Sequence, residues 1–396
     1  IAFIDNYQIT PKAKEVIERF VASLGDEKVS AWSLIGSYGM GKSAFLNYFL
    51  SITGPVDSEF TRKGLHKLKD YDKNLYTSFL EKKKSVTGEN GFFHIFVVAS
   101  FESVNVTLAR GLYKAILQSE LSSKKNLIKK IEVLLENSSI ESVDLLDLFK
   151  EVIQVVKSPL VIIIDEFGKN LEYLSYHYYE GDLFILQQLA EIGNVYLWVA
   201  LHQAFQEYMS GFSIIQQQEW NKVQGRFEEI SFVESAVQML CFIQAIVGLR
   251  ETVDMKMAIE NWAIGVKKSL ESIDLVGKEY FSDPRAIEKL YPFHPITCLA
   301  LVELCRKYAQ NERTLTSFLC SGHEFALPAK LEKIKVNKGE GVSAIGLDSL
   351  YDYFFGLNTA LVHTSKAQRW LEIQDIIQSS TQYSKKENTL LRCLGI

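Results

Sequence analysis

Residues 36–43 run Gly-Ser-Tyr-Gly-Met-Gly-Lys-Ser and satisfy the pattern G-x-x-x-x-G-K-[ST] in full. Few strings this short restrict a fold as much. An apolar run, Val29 to Ile35, precedes it and reads as a strand; a helix-forming run, Ala44 to Leu50, follows. Glycines let such a loop curl without Cβ clashes. Its backbone N–H groups, with the helix N-terminus behind them, make a pocket for a polyphosphate. The candidate phosphate-binding residues are therefore Gly36, Ser37, Tyr38, Gly39, Met40, Gly41, Lys42, Ser43 and Ala44. Lys42 is expected to reach the β- and γ-phosphates, and the Ser43 hydroxyl to bind Mg²⁺.

A second string belongs with the first. Leu160 to Ile164 is a continuous, mostly β-branched apolar run, the mark of a strand buried on both faces of a parallel sheet. It ends in Asp165-Glu166. An acidic residue at the end of such a strand holds Mg²⁺ in phosphate-loop enzymes, and Asp165 is placed for that. Glu166 is placed as the base that orients and polarises an attacking water.

The rest of the chain supports an α/β reading. Pro11 to about Leu24 reads as a helix, with Thr10 as N-cap and Pro11 in the first turn. Phe92 to Ser100 and Val195 to Leu201 read as further core strands. Helices are expected over about 106–119, 124–137, 142–156 and 182–192, whereas 55–90 reads as polar and irregular with helical pieces. Strands alternating with helices imply a parallel sheet with right-handed crossovers. Past about residue 233 strand signals fade. The expected domains are a phosphate-loop α/β domain over 1–233, a helical lid-like domain over 234–334, and part of a further helical domain over 335–396.

Bulk properties narrow the class. The chain of 396 residues is 47% hydrophobic and 23% charged, ordinary for a globular protein. No apolar run is long enough for a membrane span. The chain lacks both a signal-peptide pattern and an initiator Met, which suggests part of a longer polypeptide. Five cysteines without a C-x-x-C favour reduced thiols in a cytoplasmic protein, with Cys298 and Cys305 sharing one helix face as core residues. A net charge of −5 argues against general coating of nucleic acid but leaves room for a local basic site. Arg62, Lys63, Lys67, Lys69, Lys73, Lys82, Lys83 and Lys84, interleaved with Tyr71, Tyr76 and Phe79, form such a stretch. It reads as a solvated helical face, with nucleic-acid binding as the alternative. Tyr173, Tyr176, His177, Tyr178 and Tyr179, just after the Asp-Glu strand, read as packing against the sheet edge, with gating or a subunit contact as alternatives.

Two further positions suggest chemistry. The strand over 195–201 ends in His202-Gln203. Gln203, with His202 second, is the candidate for touching a γ-phosphate or the attacking water. Residues 220–232 read as the end of an amphipathic helix near Gly225, then Arg226, then a short strand from Glu229 to Phe232. Here the chain resembles the AAA+ ATPases, especially their origin-recognition-like branch. The resemblance implies ATP and Mg²⁺ as ligands and a ring-type homo-oligomer. It also implies that Arg226 reaches the ATP of a neighbouring subunit. A helical lid after the sheet would supply a second arginine, with Arg313 as candidate and Arg285 as runner-up. Taken together, Asp165-Glu166-Phe167-Gly168-Lys169, His202-Gln203, Gly225-Arg226-Phe227 and Gln310-Asn311-Glu312-Arg313 resemble the large ATPases of bacterial antiphage defence systems such as RADAR and BREX. That resemblance implies an ATPase coupled to an effector protein or to nucleic acid. The alternative is a slow-turnover, STAND-like signalling switch that controls assembly.

Overall fold

The computed structural model describes residues 4–5, 7–25, 29–36, 41–137, 139–177, 183–208, 214–234, 236–247, 253–274, 278–308, 315–332, 342–355, 368–379 and 383–396. Five strands form one sheet: β1 (Ala31–Ile35), β2 (Phe93–Val98), β3 (Leu160–Asp165), β4 (Val195–Leu201) and β5 (Glu228–Ser231). Every neighbouring pair is parallel, and the spatial order is β2-β3-β4-β1-β5. β4 is inserted between the strand that feeds the glycine-rich loop and the strand that ends in Asp165.

Side-chain alternation sends each strand into two cores. Ile162 and Ile164 of β3 join Leu197 and Val199 of β4 on one face, with Leu108, Leu112 and Trp220 from the covering helices. Val161, Ile163 and Trp198 join Trp32, Phe20 and Phe49 on the other. β3 and β4 are buried along their whole length, which is why both read as unbroken apolar runs. Phe20 meets Trp32, Phe49, Phe92, Tyr196 and Trp198 at ring-centroid distances of 4.8–5.9 Å.

The stretch over 55–90 corrects the expectation of irregularity. It holds two regular helices, α3 (Glu59–Tyr71) and α4 (Lys73–Thr87); α1 and α2 are Pro11–Ser23 and Lys42–Thr53. Ser58 caps α3 by accepting the Thr61 N–H, and Asp72 caps α4 by accepting those of Asn74 and Leu75. The short buried set Leu65, Leu68, Leu75 and Phe79 is enough to dock them, so the segment looked more polar than its fold requires. Lys83 is buried and donates to the carbonyls of Ile52 and Gly54, satisfying the C-terminal end of α2.

His94 in β2 lies beside that lysine, with Nε2 2.9 Å from Thr53 Oγ1. Burial, with Lys83 adding to it, pushes its pKa down to about 4. In the unfolded chain the ring titrates near about 6.5. Stability from this group is therefore full above about pH 6.5 and is lost as pH falls toward 4. The full loss is on the order of 3 kcal/mol. Urea unfolding at pH 7.5 and pH 5 should show the drop, and His94→Gln should flatten it.

The chain divides into two units, Ile1–Val233 and Glu234–Ile396. Helices of the second unit include Ala236–Val247, Val253–Leu270, Pro295–Tyr308 and Asp348–Phe355. Cys298 and Cys305 are both buried on Pro295–Tyr308, where burial pushes their thiols well up. Among the described residues, no helix is long and apolar enough to cross a membrane.

Candidate active site

The C-terminal ends of β1, β4 and β3 lie side by side, and the candidate chemistry gathers there. Gly36 donates its N–H to the Leu201 carbonyl at 3.1 Å. A Cβ at Gly36 would sit 2.5 Å from the Phe232 carbonyl oxygen, so the position has no room for a side chain. Gly41 adopts φ +83, the left-handed region, and opens α2. Ser37, Tyr38, Gly39 and Met40 lie outside the described residues.

Lys42, the first residue of α2, is only 6% exposed, and its amine donates to the Gly36 carbonyl. Burial pushes its pKa down to about 8, while the negative charges of Asp165 and Glu166 pull the other way. A buried ammonium bonded to a neutral carbonyl can exchange it for an anionic partner, such as a phosphate oxygen. Ser43 faces outward at the same helix start, and Ala44 is half-buried.

Asp165 closes β3, 6% exposed, and its Oδ1 accepts the Glu166 N–H at 2.9 Å. Ala99 and Phe167 pin the turn from both sides through bonds to the Asp165 and Ala200 carbonyls, at 2.8 and 2.9 Å. Glu166 itself has φ +55, a region that costs a non-glycine residue on the order of 1–3 kcal/mol. The next helix, Gly168–Tyr176, is anchored through Asn170, which donates to the Glu102 carbonyl and the Thr107 hydroxyl. Arg110 and Thr107 hold the Glu102 carboxylate.

His202 and Gln203 follow β4, between the two motifs. Both are half-buried. Burial pushes the His202 pKa down to about 4; Lys42 and Lys169 add to this and Glu166 opposes it. His202 therefore shares the electrostatic environment of the loop lysine and the acidic turn. β1 and β3 are two strand spacings apart, about 10 Å, room for phosphates and a cation between them.

Arg226 lies elsewhere. It precedes β5, at the N-terminal edge of a wholly parallel sheet, and pairs with Glu191 at 2.8 Å. The five residues of β1 put about 16 Å between that edge and the loop lysine. A cavity of about 890 Å³ opens beside Arg226, lined also by Ser30, Glu191, Asn194 and Glu228. Arg285 is exposed on the short helix Pro284–Glu288, and Arg313 lies outside the described residues.

Part of the basic stretch is taken up by packing and ion pairs, while Tyr71 stays exposed. Phe79 is fully buried, Lys83 caps α2, Lys63 pairs with Asp5, and Lys84 pairs with Glu89. Tyr173 and His177 stack at 4.3 Å, and Phe101 packs edge-on against Tyr173. Tyr178 and Tyr179 lie outside the described residues.

No protein-family model and no curated protein matches this chain. Solved structures that resemble it include the ORC2 protein of Aeropyrum pernix in its ADP form. That match has 12% identity and a TM-score of 0.39, and covers 98% of this chain and 87% of that one. CDC6P of Pyrobaculum aerophilum matches at 10% identity and a TM-score of 0.39, over 100% of this chain and 83% of that one. Superposition this loose decides no chemistry, and the fold assignment stands on the strand order itself.

Several site residues escaped the sequence reading. Glu191 as the partner of Arg226, and the Glu102–Thr107–Arg110–Asn170 network, join residues far apart in the chain and leave no local pattern. Lys169 was legible in principle. It stands three residues after Glu166, across the turn that opens the helix Gly168–Tyr176.

Proposed function

We propose that the chain is an AAA+-type ATPase that binds ATP with Mg²⁺ on the glycine-rich loop and hydrolyses it. The observation that carries this is the meeting of Lys42, Ser43, Asp165 and Glu166 at one edge of one sheet, with β4 between the two motif strands. The residues fit the group: Gly41 turns left-handed into α2, and the Lys42 ammonium is buried. Ser43 and Asp165 supply hard oxygen donors of the kind Mg²⁺ prefers. When bound, Mg²⁺ would neutralise phosphate charge.

In this reading Lys42 exchanges the Gly36 carbonyl for β- and γ-phosphate oxygens. Glu166 takes the proton of a water whose oxygen attacks the γ-phosphorus as the bond to the β–γ bridging oxygen breaks, leaving ADP and phosphate. His202 or Gln203 orients that water or the γ-phosphate. Arg226, about 16 Å from its own loop, serves the site of a second copy, which requires a homo-oligomer of ring type. The lid arginine, Arg313 or Arg285, the choice of ATP over other nucleotides, and an effector or nucleic acid in an antiphage defence system rest on sequence resemblance, and the cytoplasmic location rests on the cysteine pattern.

Calorimetry with a slowly hydrolysed ATP analogue tests the reading. Lys42→Ala is expected to weaken binding on the order of 10²-fold, because it removes a buried charge partner. Affinity for wild type should also fall as pH rises past about 8, where free Lys42 loses its proton. Equal binding by both proteins would remove the loop from the site. One observation favours the alternative of a slow signalling switch: the Glu166 carboxylate is already engaged by Lys169.

A further inference from the structure

Glu166 and Lys169 flank the turn that leaves β3. Lys169 sits in the first turn of the helix Gly168–Tyr176, and its N–H donates to the Glu166 carbonyl at 3.0 Å. Its ammonium also forms an ion pair with Glu166 Oε2. The two residues are thus tied by main chain and side chain at once. The Glu166 backbone is left-handed and its N–H is bound to Asp165, so the residue has little freedom to swing away by rotating its main chain. Both side chains are partly exposed, 30% for Glu166 and 43% for Lys169, so the pair is reachable from solvent and can open.

A general base must offer a lone pair within about 2.6–3.2 Å of the proton it takes. Here Oε2 is already accepting from a cation with no acceptor capacity of its own. The ion pair also holds the carboxylate against the first turn of the helix. No step in hydrolysis needs that cation on that oxygen. Glu166 directly follows Asp165 at the C-terminal end of β3, the sheet edge at which the loop lysine also lies.

We propose that Lys169 is a positioning residue that latches Glu166 in an ion-paired state and so keeps basal turnover slow. The inference rests on Glu166 being the base in the ATPase reading above. Release of Lys169, by movement of the helix start, frees the carboxylate for water.

The test compares three proteins with wild type. Lys169→Met keeps the length and removes the charge. It is expected to raise kcat about two- to fivefold, the range a partly exposed ion pair spans, with KM and calorimetric ADP affinity unchanged. Lys169→Arg should stay at the wild-type rate. Reductive methylation of Lys169, read by mass spectrometry, should be slower in wild type than in Glu166→Gln, since the carboxylate shields the amine. A Lys169→Met kcat equal to or below wild type, or a methylation rate indifferent to Glu166→Gln, overturns the latch while leaving the base in place. Wild-type-rate hydrolysis by Glu166→Gln would overturn the base assignment, and the latch with it.

Discussion

Glutamine in place of Glu166 is expected to lower ATP turnover about 10²–10⁴-fold, the range a positioned general base contributes. The substitution keeps the size of the side chain and removes the proton acceptor. No backbone of the phosphate cradle is altered, because Gly36, Gly41 and Lys42 follow the other motif strand, across β4. ATP should therefore bind and remain intact. Filter binding of radiolabelled ATP followed by chromatography reads both quantities in one experiment. Retained, unhydrolysed ATP fits the assignment. Hydrolysis at the wild-type rate would hand the role to another group, with His202 the first to consider.

The second large effect is on Arg226. Alanine at this position is expected to cut turnover about 10³–10⁵-fold if the arginine acts on a neighbour, as arginines supplied in trans do. The location makes the test decisive. Arg226 is at the sheet edge opposite its own Lys42, so loss of activity cannot come from its own site directly. Mixing inactive Arg226→Ala with inactive Lys42→Ala should restore part of the activity, since one protein brings an intact loop and the other an intact arginine. Light scattering on Glu166→Gln should show a ring-sized assembly with Mg-ATP. Normal turnover by Arg226→Ala would reduce the residue to a partner of Glu191.

The sheet was largely legible because its signals are local. β3 and β4 are buried on both faces, and that condition writes itself into sequence as unbroken apolar runs. The helix after the glycine-rich string was legible because glycine and lysine occur there in a fixed spacing. Helices α3 and α4 were harder, since four buried apolar side chains and two capping side chains do the work inside a polar background. Burial of Lys83 could not be foreseen, because its acceptors are carbonyls about thirty residues earlier in the chain and carry no side-chain signature. Nor does a run of three lysines announce which one points inward. At the site, the residue types were readable but their couplings were not. The pairing of Arg226 with Glu191 appears only once β4 and β5 lie in one sheet, and the strain at Glu166 is a main-chain property.

The crowding at Gly36 bears on how the end of the first unit is fixed. The first residue of the phosphate loop rests on the Phe232 carbonyl, and the Phe232 N–H bonds to the Ile35 carbonyl at 2.7 Å. Phe232 is the penultimate residue of the first unit. The end of the first unit is therefore held against the first residue of the glycine-rich string through main chain alone. A joint built this way does not depend on which side chain stands at position 232. Added bulk at position 36, or a slip of β5 along β1, would break it.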